Sequence, residues 1–436
     1  MEDKLFIDRK EELKQLNDAL NRTGPELIII YGRRRIGKTR LLNQIKTDIL
    51  VMLEETDYSS NVKKMAEAVS IKYNYPSFNP QSFTEIFKNI PEKQVISLDE
   101  FSYLSGFGEF QAIWEEICKK KWHKLILCGS LIRVMEDLNY SLKSPLYGRA
   151  TQIVKVMPLS FPYVVEWYEK REIAEIMQTY FCVGGIPRYL EVITKPYLLD
   201  IENAFGKNGL LLREGKLLIK ENFPSSILFP KILSAISNGI TEATKIANFA
   251  EIKSSQISKY LSVLIDYGYI EKRFPVLGGG KKDARFYLAD KFFAFWSRFI
   301  WPFYSEIENG KPIDLGEKLN AYFGVQFENL VIEIAHGLFT DMYDKAGRQW
   351  QKDVELDLVC TNEKHNAILF GECKWQDNVN PEAIMALLRQ KAKQILWNNE
   401  TRTEKYAVFA KSFKKRIEGK EILLFDLKDI EKKISV

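Results

Sequence analysis

Leu27-Ile28-Ile29-Ile30-Tyr31-Gly32-Arg33-Arg34-Arg35-Ile36-Gly37-Lys38-Thr39 is the stretch on which the fold turns. Its first five residues read as a buried strand, and the next eight match GxxxxGK[ST]. A glycine turn after a strand and before a helix, here beginning near Lys38, wraps triphosphate oxygens in backbone N–H groups, with the positive helix end behind them. On that reading Gly32, Arg33, Arg34, Arg35, Ile36, Gly37 and the following Arg40 form the cradle. Lys38 reaches the β- and γ-phosphates of ATP, and the Thr39 hydroxyl binds Mg²⁺. The bland alternative is a glycine turn with a surface lysine, and the strand before it and the helix after it weigh against that.

The other half of such a site is an acid at the end of a second buried strand. Val95-Ile96-Ser97-Leu98-Asp99-Glu100 supplies it, with Asp99 placed to hold the metal shell and Glu100 to orient or deprotonate the attacking water. Another strand, Ile49 to Leu53, intervenes in sequence. Leu125-Ile126-Leu127-Cys128-Gly129-Ser130 delivers Ser130 to a sensor position near the γ-phosphate, or else a turn serine. Arg149, in Leu146-Tyr147-Gly148-Arg149, is either an arginine finger or a surface salt-bridge partner. Gly184-Gly185-Ile186-Pro187-Arg188-Tyr189 makes a rigid turn that brings Pro187 toward the adenine.

Outward from these motifs, the 436 residues predict roughly two to four domains. At 46 % hydrophobic and 28 % charged the chain is a folding one, which excludes disordered and collagen-like classes. No apolar run approaches the roughly 18 to 20 residues of a membrane span, and the charged first ten residues do not resemble a secretory leader. Five cysteines (Cys118, Cys128, Cys182, Cys360, Cys373) without a CxxC pair indicate neither a disulfide framework nor zinc, which fits a reducing cytoplasm. The 63 Lys+Arg against 58 Asp+Glu give +5, which permits nucleic-acid contact without arguing for it.

The fold class expected is α/β. Residues 1–157 alternate buried strands (27–31, 49–53, 94–98, 124–128, 152–156) with helices, predicting a P-loop NTPase with a mostly parallel sheet. Residues 158–224 turn helical, as a lid. Residues 225–290 give three helices and a two-stranded ribbon, the winged-helix order, with nine Lys/Arg against six Asp/Glu over 231–290. Residues 291–319 read as a packed aromatic linker helix, and 320–436 as a second α/β unit in the order α-β-β-α-β, with strands near 353–360, 367–374 and 406–410.

Together, the Phe6-to-Leu13 segment, the Gly32-to-Thr39 loop, Leu98-Asp99-Glu100-Phe101, Gly129-Ser130, Leu146-to-Arg149 and Gly184-to-Pro187 resemble the archaeal and bacterial predicted ATPases of the AAA+ superfamily, near its signal-transducing STAND branch. The resemblance covers about residues 1–290. It implies ATP and Mg²⁺, a winged helix after the lid, and a cycle in which nucleotide state moves both. In the winged-helix block, Ser254, Ser255, Gln256 and Lys259 stand at the helix end that enters a major groove, and Lys281, Lys282 and Arg285 in the wing face phosphates. The competing reading makes that block a mechanical part packed on its own protein.

In the last block, strand alternation sets Glu355 and Asp357 opposite Leu356 and puts Glu372 and Lys374 on one face, with Glu328 on the preceding helix. Carboxylates gathered so bind Mg²⁺ or Mn²⁺ and activate water against a phosphodiester, while Lys374 stabilises the developing charge. The alternatives are solvent-facing charges, or a nuclease fold kept for binding. The pattern resembles the PD-(D/E)xK superfamily, a small restriction-endonuclease-like domain, with Leu356 where the named motif has Pro, at a position that varies. The expectation is an intracellular, cytoplasmic ATPase whose nucleotide state controls action on nucleic acid, DNA more than RNA. The alternative is a non-cleaving regulatory switch that binds DNA or a protein partner, or self-associates, with no membrane contact.

Overall fold

In the computed structural model the described residues run from 7 to 434, except 77, 105–106, 141–143, 195–196, 224–226, 340–341 and 352–353. The chain divides into two compact units: Met1–Pro158 with Ile186–Arg188, and Leu159–Gly185 with Tyr189–Val436.

The first unit is built on a parallel sheet of β1 (Glu26–Tyr31), β2 (Ile49–Met52), β3 (Val95–Asp99), β4 (Lys124–Gly129) and β5 (Gln152–Lys155), in the order β2-β3-β4-β1-β5. All five begin and end within a residue of their expected bounds. β1 is buried along its whole length, as a central strand covered on both faces must be. Its alternation feeds two cores, Leu27 and Ile29 joining one and Ile28 and Ile30 the other. β2 departs from the expected buried strand. At the sheet edge it alternates, leaving Leu50 and Met52 exposed. Because β4 lies between β1 and β3, the carboxyl ends of three adjacent strands meet at one rim, carrying Gly32, Ser130 and the Asp99-Glu100 pair.

The second unit gathers what the sequence divides into four blocks. Helices Phe161–Trp167 and Ile173–Val183, in the block expected as a lid, come first. Helices Leu228–Ser237, Ala243–Phe249 and Ile257–Asp266 then precede an antiparallel ribbon of β6 (Ile270–Arg273) and β7 (Arg285–Leu288). The aromatic segment is packed inside the second unit. Lys291–Phe295 runs on into a π-helical turn, Trp296–Ile300, and a 3₁₀ turn, Trp301–Phe303. Phe292, Phe293, Phe295 and Trp296 are fully buried, because so many adjacent large rings satisfy their burial only when elements surround them on all sides.

The C-terminal sheet holds β8 (Lys345–Gln351), β9 (Val354–Asn362), β10 (Ala367–Lys374), β11 (Thr403–Ala410) and β12 (Ile422–Phe425), in the order β12-β11-β10-β9-β8. β8, β9 and β10 pair antiparallel; β10, β11 and β12 pair parallel. Helix Gly316–Leu338 precedes it, Pro381–Ala392 makes the β10-to-β11 crossover, and Leu427–Ile434 closes it. The expected α-β-β-α-β order thus gains a strand at each edge and a last helix. The expected start of β9 at Asp353 lies outside the described residues.

Candidate functional site

Gly32 follows β1 where a Cβ would stand 2.4 Å from the Val156 carbonyl oxygen, so only glycine lets the chain turn there. Gly37 (φ 98°) and Arg35 (φ 67°) take left-handed conformations that fold the loop back on itself. The regular helix behind it is short, Lys38–Leu42, so the loop's own N–H groups matter more than a helix dipole of one turn. Lys38 is buried, its Nζ donating to the Gly32 and Arg33 carbonyl oxygens at 3.1 and 3.2 Å.

Thr39 Oγ1 donates to Asp99 Oδ2 at 2.6 Å, joining the loop to the end of β3. Glu100 departs from β3 with φ 55°, a strained conformation for a non-glycine residue of the kind that collects at functional sites. Its backbone N–H donates to Asp99 Oδ1 at 2.9 Å. Ser130 Oγ donates to Glu100 Oε2 at 2.8 Å, so β4 is tied in as well. The residues fit a magnesium nucleotide in kind: a buried amine inside a glycine loop, and a hydroxyl and carboxylate supplying hard oxygens.

Arg149 is not brought into this constellation. Its Nε pairs with Glu115 Oε1 at 2.9 Å and its Nη1 donates to the Tyr147 carbonyl, so the salt-bridge alternative is the one observed. Pro187 opens helix Pro187–Val192, and Ile186–Arg188 cluster with the first unit although both flanks belong to the second. One residue of the Phe6-to-Leu13 segment has a supporting role that the motif does not reveal. Arg9 (φ 92°) is buried and donates to the carbonyl oxygens of Met157 (2.8 Å) and Ile36 (3.4 Å) while pairing with Glu12 at 3.1 Å. It braces the phosphate loop from the start of the chain, and its spacing from those partners carries no signal.

The C-terminal acids are brought together in part. Asp357 Oδ2 accepts the Cys373 backbone N–H at 2.9 Å, just beyond the last pair of the β9–β10 ladder, Leu358 with Gly371. Burial and the neighbouring Glu372 raise its carboxyl above the ordinary range. Burial, then the charge of Asp357, raises Glu328 to about 7. Burial opposes the Lys374 ammonium, but its bond to Glu372 (2.8 Å) and the charges of Asp357 and Glu328 outweigh this and raise it.

Two basic residues absent from the motif also intervene. Lys391 Nζ donates to Glu372 Oε2 at 3.0 Å, and Arg348 Nη2 to Glu328 Oε2 at 2.7 Å. Among the described residues no three Asp, Glu, His or Cys side chains are gathered closely enough to hold a metal ion. Glu328, Asp357 and Glu372 therefore have the donor chemistry for a divalent cation but, as arranged, do not form its site. In the ribbon, Arg285 is engaged within the protein, pairing with Glu355 at 3.1 Å and lying 4.7 Å from the Trp350 ring centroid, which argues against a phosphate contact in this state.

A parallel sheet with a glycine-lysine loop after β1 and an acid pair after β3, one strand removed, defines a P-loop ATPase domain. A family profile described as an ATPase domain predominantly from Archaea matches residues 6–193, and one described as "Archaea bacterial proteins of unknown function" matches residues 296–395. An uncharacterized protein of Methanocaldococcus jannaschii is 33 % identical over 445 residues, spanning 98 % of this chain and 100 % of the relative. The chain belongs to that protein's family, an archaeal-type ATPase domain followed by the second conserved domain. An uncharacterized ATP-binding protein of the same organism is 50 % identical over 40 residues, 9 % of this chain and 68 % of that one. Among solved structures, the Walker-type ATPase of Pyrococcus abyssi has a TM-score of 0.51 at 22 % identity, over 67 % of this chain and 96 % of that chain, a likeness of fold. No described helix is long and apolar enough to cross a membrane.

Proposed function

We propose that the first unit binds ATP with Mg²⁺ and hydrolyses it, and that nucleotide state acts on the ribbon block, read as a winged helix, and on the C-terminal domain. The observation that carries this is the pair of bonds Thr39–Asp99 and Ser130–Glu100, which link the loop and two strand ends into one polar cluster. Lys38 exchanges two carbonyl acceptors for charged phosphate oxygens, a stronger class of hydrogen bond. Thr39 and Asp99 supply the oxygens for the metal, which when bound neutralises phosphate charge. Glu100, with one carboxylate oxygen held by Ser130, keeps the other to accept a proton from water. The name of the shorter M. jannaschii relative supports the choice of ATP. Lys38→Ala should weaken ATP binding on the order of 100-fold, as two charge-assisted bonds are lost; binding unchanged in a calorimetric titration removes the assignment.

For the C-terminal domain two readings have support. The adjacency of Asp357, Glu372 and Lys374 favours a metal-dependent nuclease-like activity on nucleic acid, DNA before RNA. The hold of Arg348 and Lys391 on Glu328 and Glu372 favours a non-cleaving switch that binds DNA, a protein partner or its own copy in the cytoplasm. A cleavage assay on DNA and RNA with Mg²⁺ or Mn²⁺, with and without ATP, separates them: cutting that disappears in Glu372→Ala supports the first, and none under any condition supports the second.

A further inference from the structure

The ribbon does not stand free. The Val276 N–H donates to the Arg348 carbonyl oxygen at 3.1 Å and the Leu277 N–H to Gln349 Oε1 at 3.0 Å, while Trp350 Nε1 donates to the Asp283 carbonyl oxygen at 2.9 Å. The segment between β6 and β7 therefore binds three consecutive residues of β8, the outer strand of the C-terminal sheet. At Gly347 a Cβ would stand 3.2 Å from Val276 Cβ, so the approach is close over a fourth residue. β8 is polar, with the sequence Lys-Ala-Gly-Arg-Gln-Trp-Gln. Nevertheless Arg348, Gln349 and Trp350 are buried, and the ribbon segment contacts all three.

From this docked strand the charges alternate inward. Arg285 of the ribbon pairs with Glu355 at 3.1 Å, and Glu355 lies 3.6 Å from Arg348. Arg348 pairs with Glu328 at 2.7 Å, and Lys374 and Lys391 close the far side on Glu372 at 2.8 and 3.0 Å. The Arg348 side chain is only 8 % exposed, and its guanidinium bridges two carboxylates from different elements. A buried bridging arginine in that position has few places to go unless β8 moves.

We propose that Arg348 is a positioning residue that holds Glu328 out of metal coordination, and that the docked ribbon fixes Arg348 by fixing β8. The C-terminal acids are in this way kept in an arrangement compensated by basic side chains, and release of the ribbon from β8 is what lets Glu328, Asp357 and Glu372 accept a divalent cation. This rests on the reading of those three acids as metal ligands, and it explains why their donor chemistry and their arrangement disagree.

The test is Mn²⁺ binding to the full-length, nucleotide-free chain by calorimetry, taking as specific only the part that Asp357→Ala removes. Arg348→Met should tighten that part by about tenfold, the equivalent of one charge-assisted bond. Arg348→Lys, which keeps a charge beside Glu328, should stay near wild type. Trp350→Phe, which removes the indole bond to Asp283 and reduces the ring beneath Arg285, should give a smaller gain together with faster tryptic cleavage at Lys281 and Lys282, and it decides the matter on the same terms if Arg348→Met does not fold. Specific binding that is equally tight in wild type and all variants overturns the role of Arg348 and leaves the metal reading standing. No specific binding in any variant overturns both.

Discussion

Glu328 gives the clearest solution signature of the C-terminal cluster. Burial and the charge of Asp357 raise its carboxyl from 4.5 to about 7, so the folded chain keeps a proton there that the unfolded chain has lost. Between those values folding takes up a proton, and the contribution of this group to stability falls as pH rises through that window. Glu328→Gln has no such proton to lose. Its melting temperature relative to wild type should therefore climb between pH 5 and pH 7.5; parallel curves would show that Glu328 titrates normally. At this scale Lys38, Thr39, Asp99, Glu100 and Ser130 were legible, because each sits at a fixed offset from a strand end that the sequence marks. Arg9, Arg348 and Lys391 were not. Arg9 lies 148 positions from Met157, Arg348 20 from Glu328 and Lys391 19 from Glu372, and no periodicity links side chains at such separations. Arg149 shows the converse: its motif-like setting left an arginine finger and a salt bridge equally open, and Glu115 on another element pairs with it.

Among the elements, the turn after helix Ile173–Val183 is the least tolerant of change. The Leu159 N–H donates to the Gly185 carbonyl at 2.8 Å, and a Cβ on Gly185 would fall 1.8 Å from the Leu159 carbonyl oxygen. No side-chain rotation relieves a clash with backbone. Gly185→Ala should cost about 2 kcal/mol or more in a denaturant titration, whereas Gly108→Ala, with open space around it, should cost far less. Equal losses would mean that the turn is not closely packed. The strands of the first unit were readable from their apolar runs, since a buried parallel strand has to be apolar on both faces. β8 was not, because its polar residues are buried by the ribbon segment that docks on it, a tertiary cause with no local trace. The aromatic stretch was recognised as a packed helix but its neighbours were not, since sequence shows that rings need burial and not what buries them.

Across the whole molecule, the first unit matches the first expected block to within a residue, Ile186–Arg188 apart, whereas the four later blocks share one unit. The sheet of the first unit closes its own two apolar layers. The helices after the first sheet, the ribbon block, the aromatic helix and the C-terminal sheet cluster together as the second unit. The polar cluster at the rim of β1, β3 and β4 lies within the first unit, and on the proposed function it hydrolyses ATP with Glu100 as the base. The direct measurement compares ATP affinity and steady-state phosphate release in wild type and Glu100→Gln, an amide that still accepts the Ser130 hydrogen bond but cannot take a proton. Unchanged affinity with turnover reduced by at least about 100-fold is the expected result; turnover equal to wild type would contradict it.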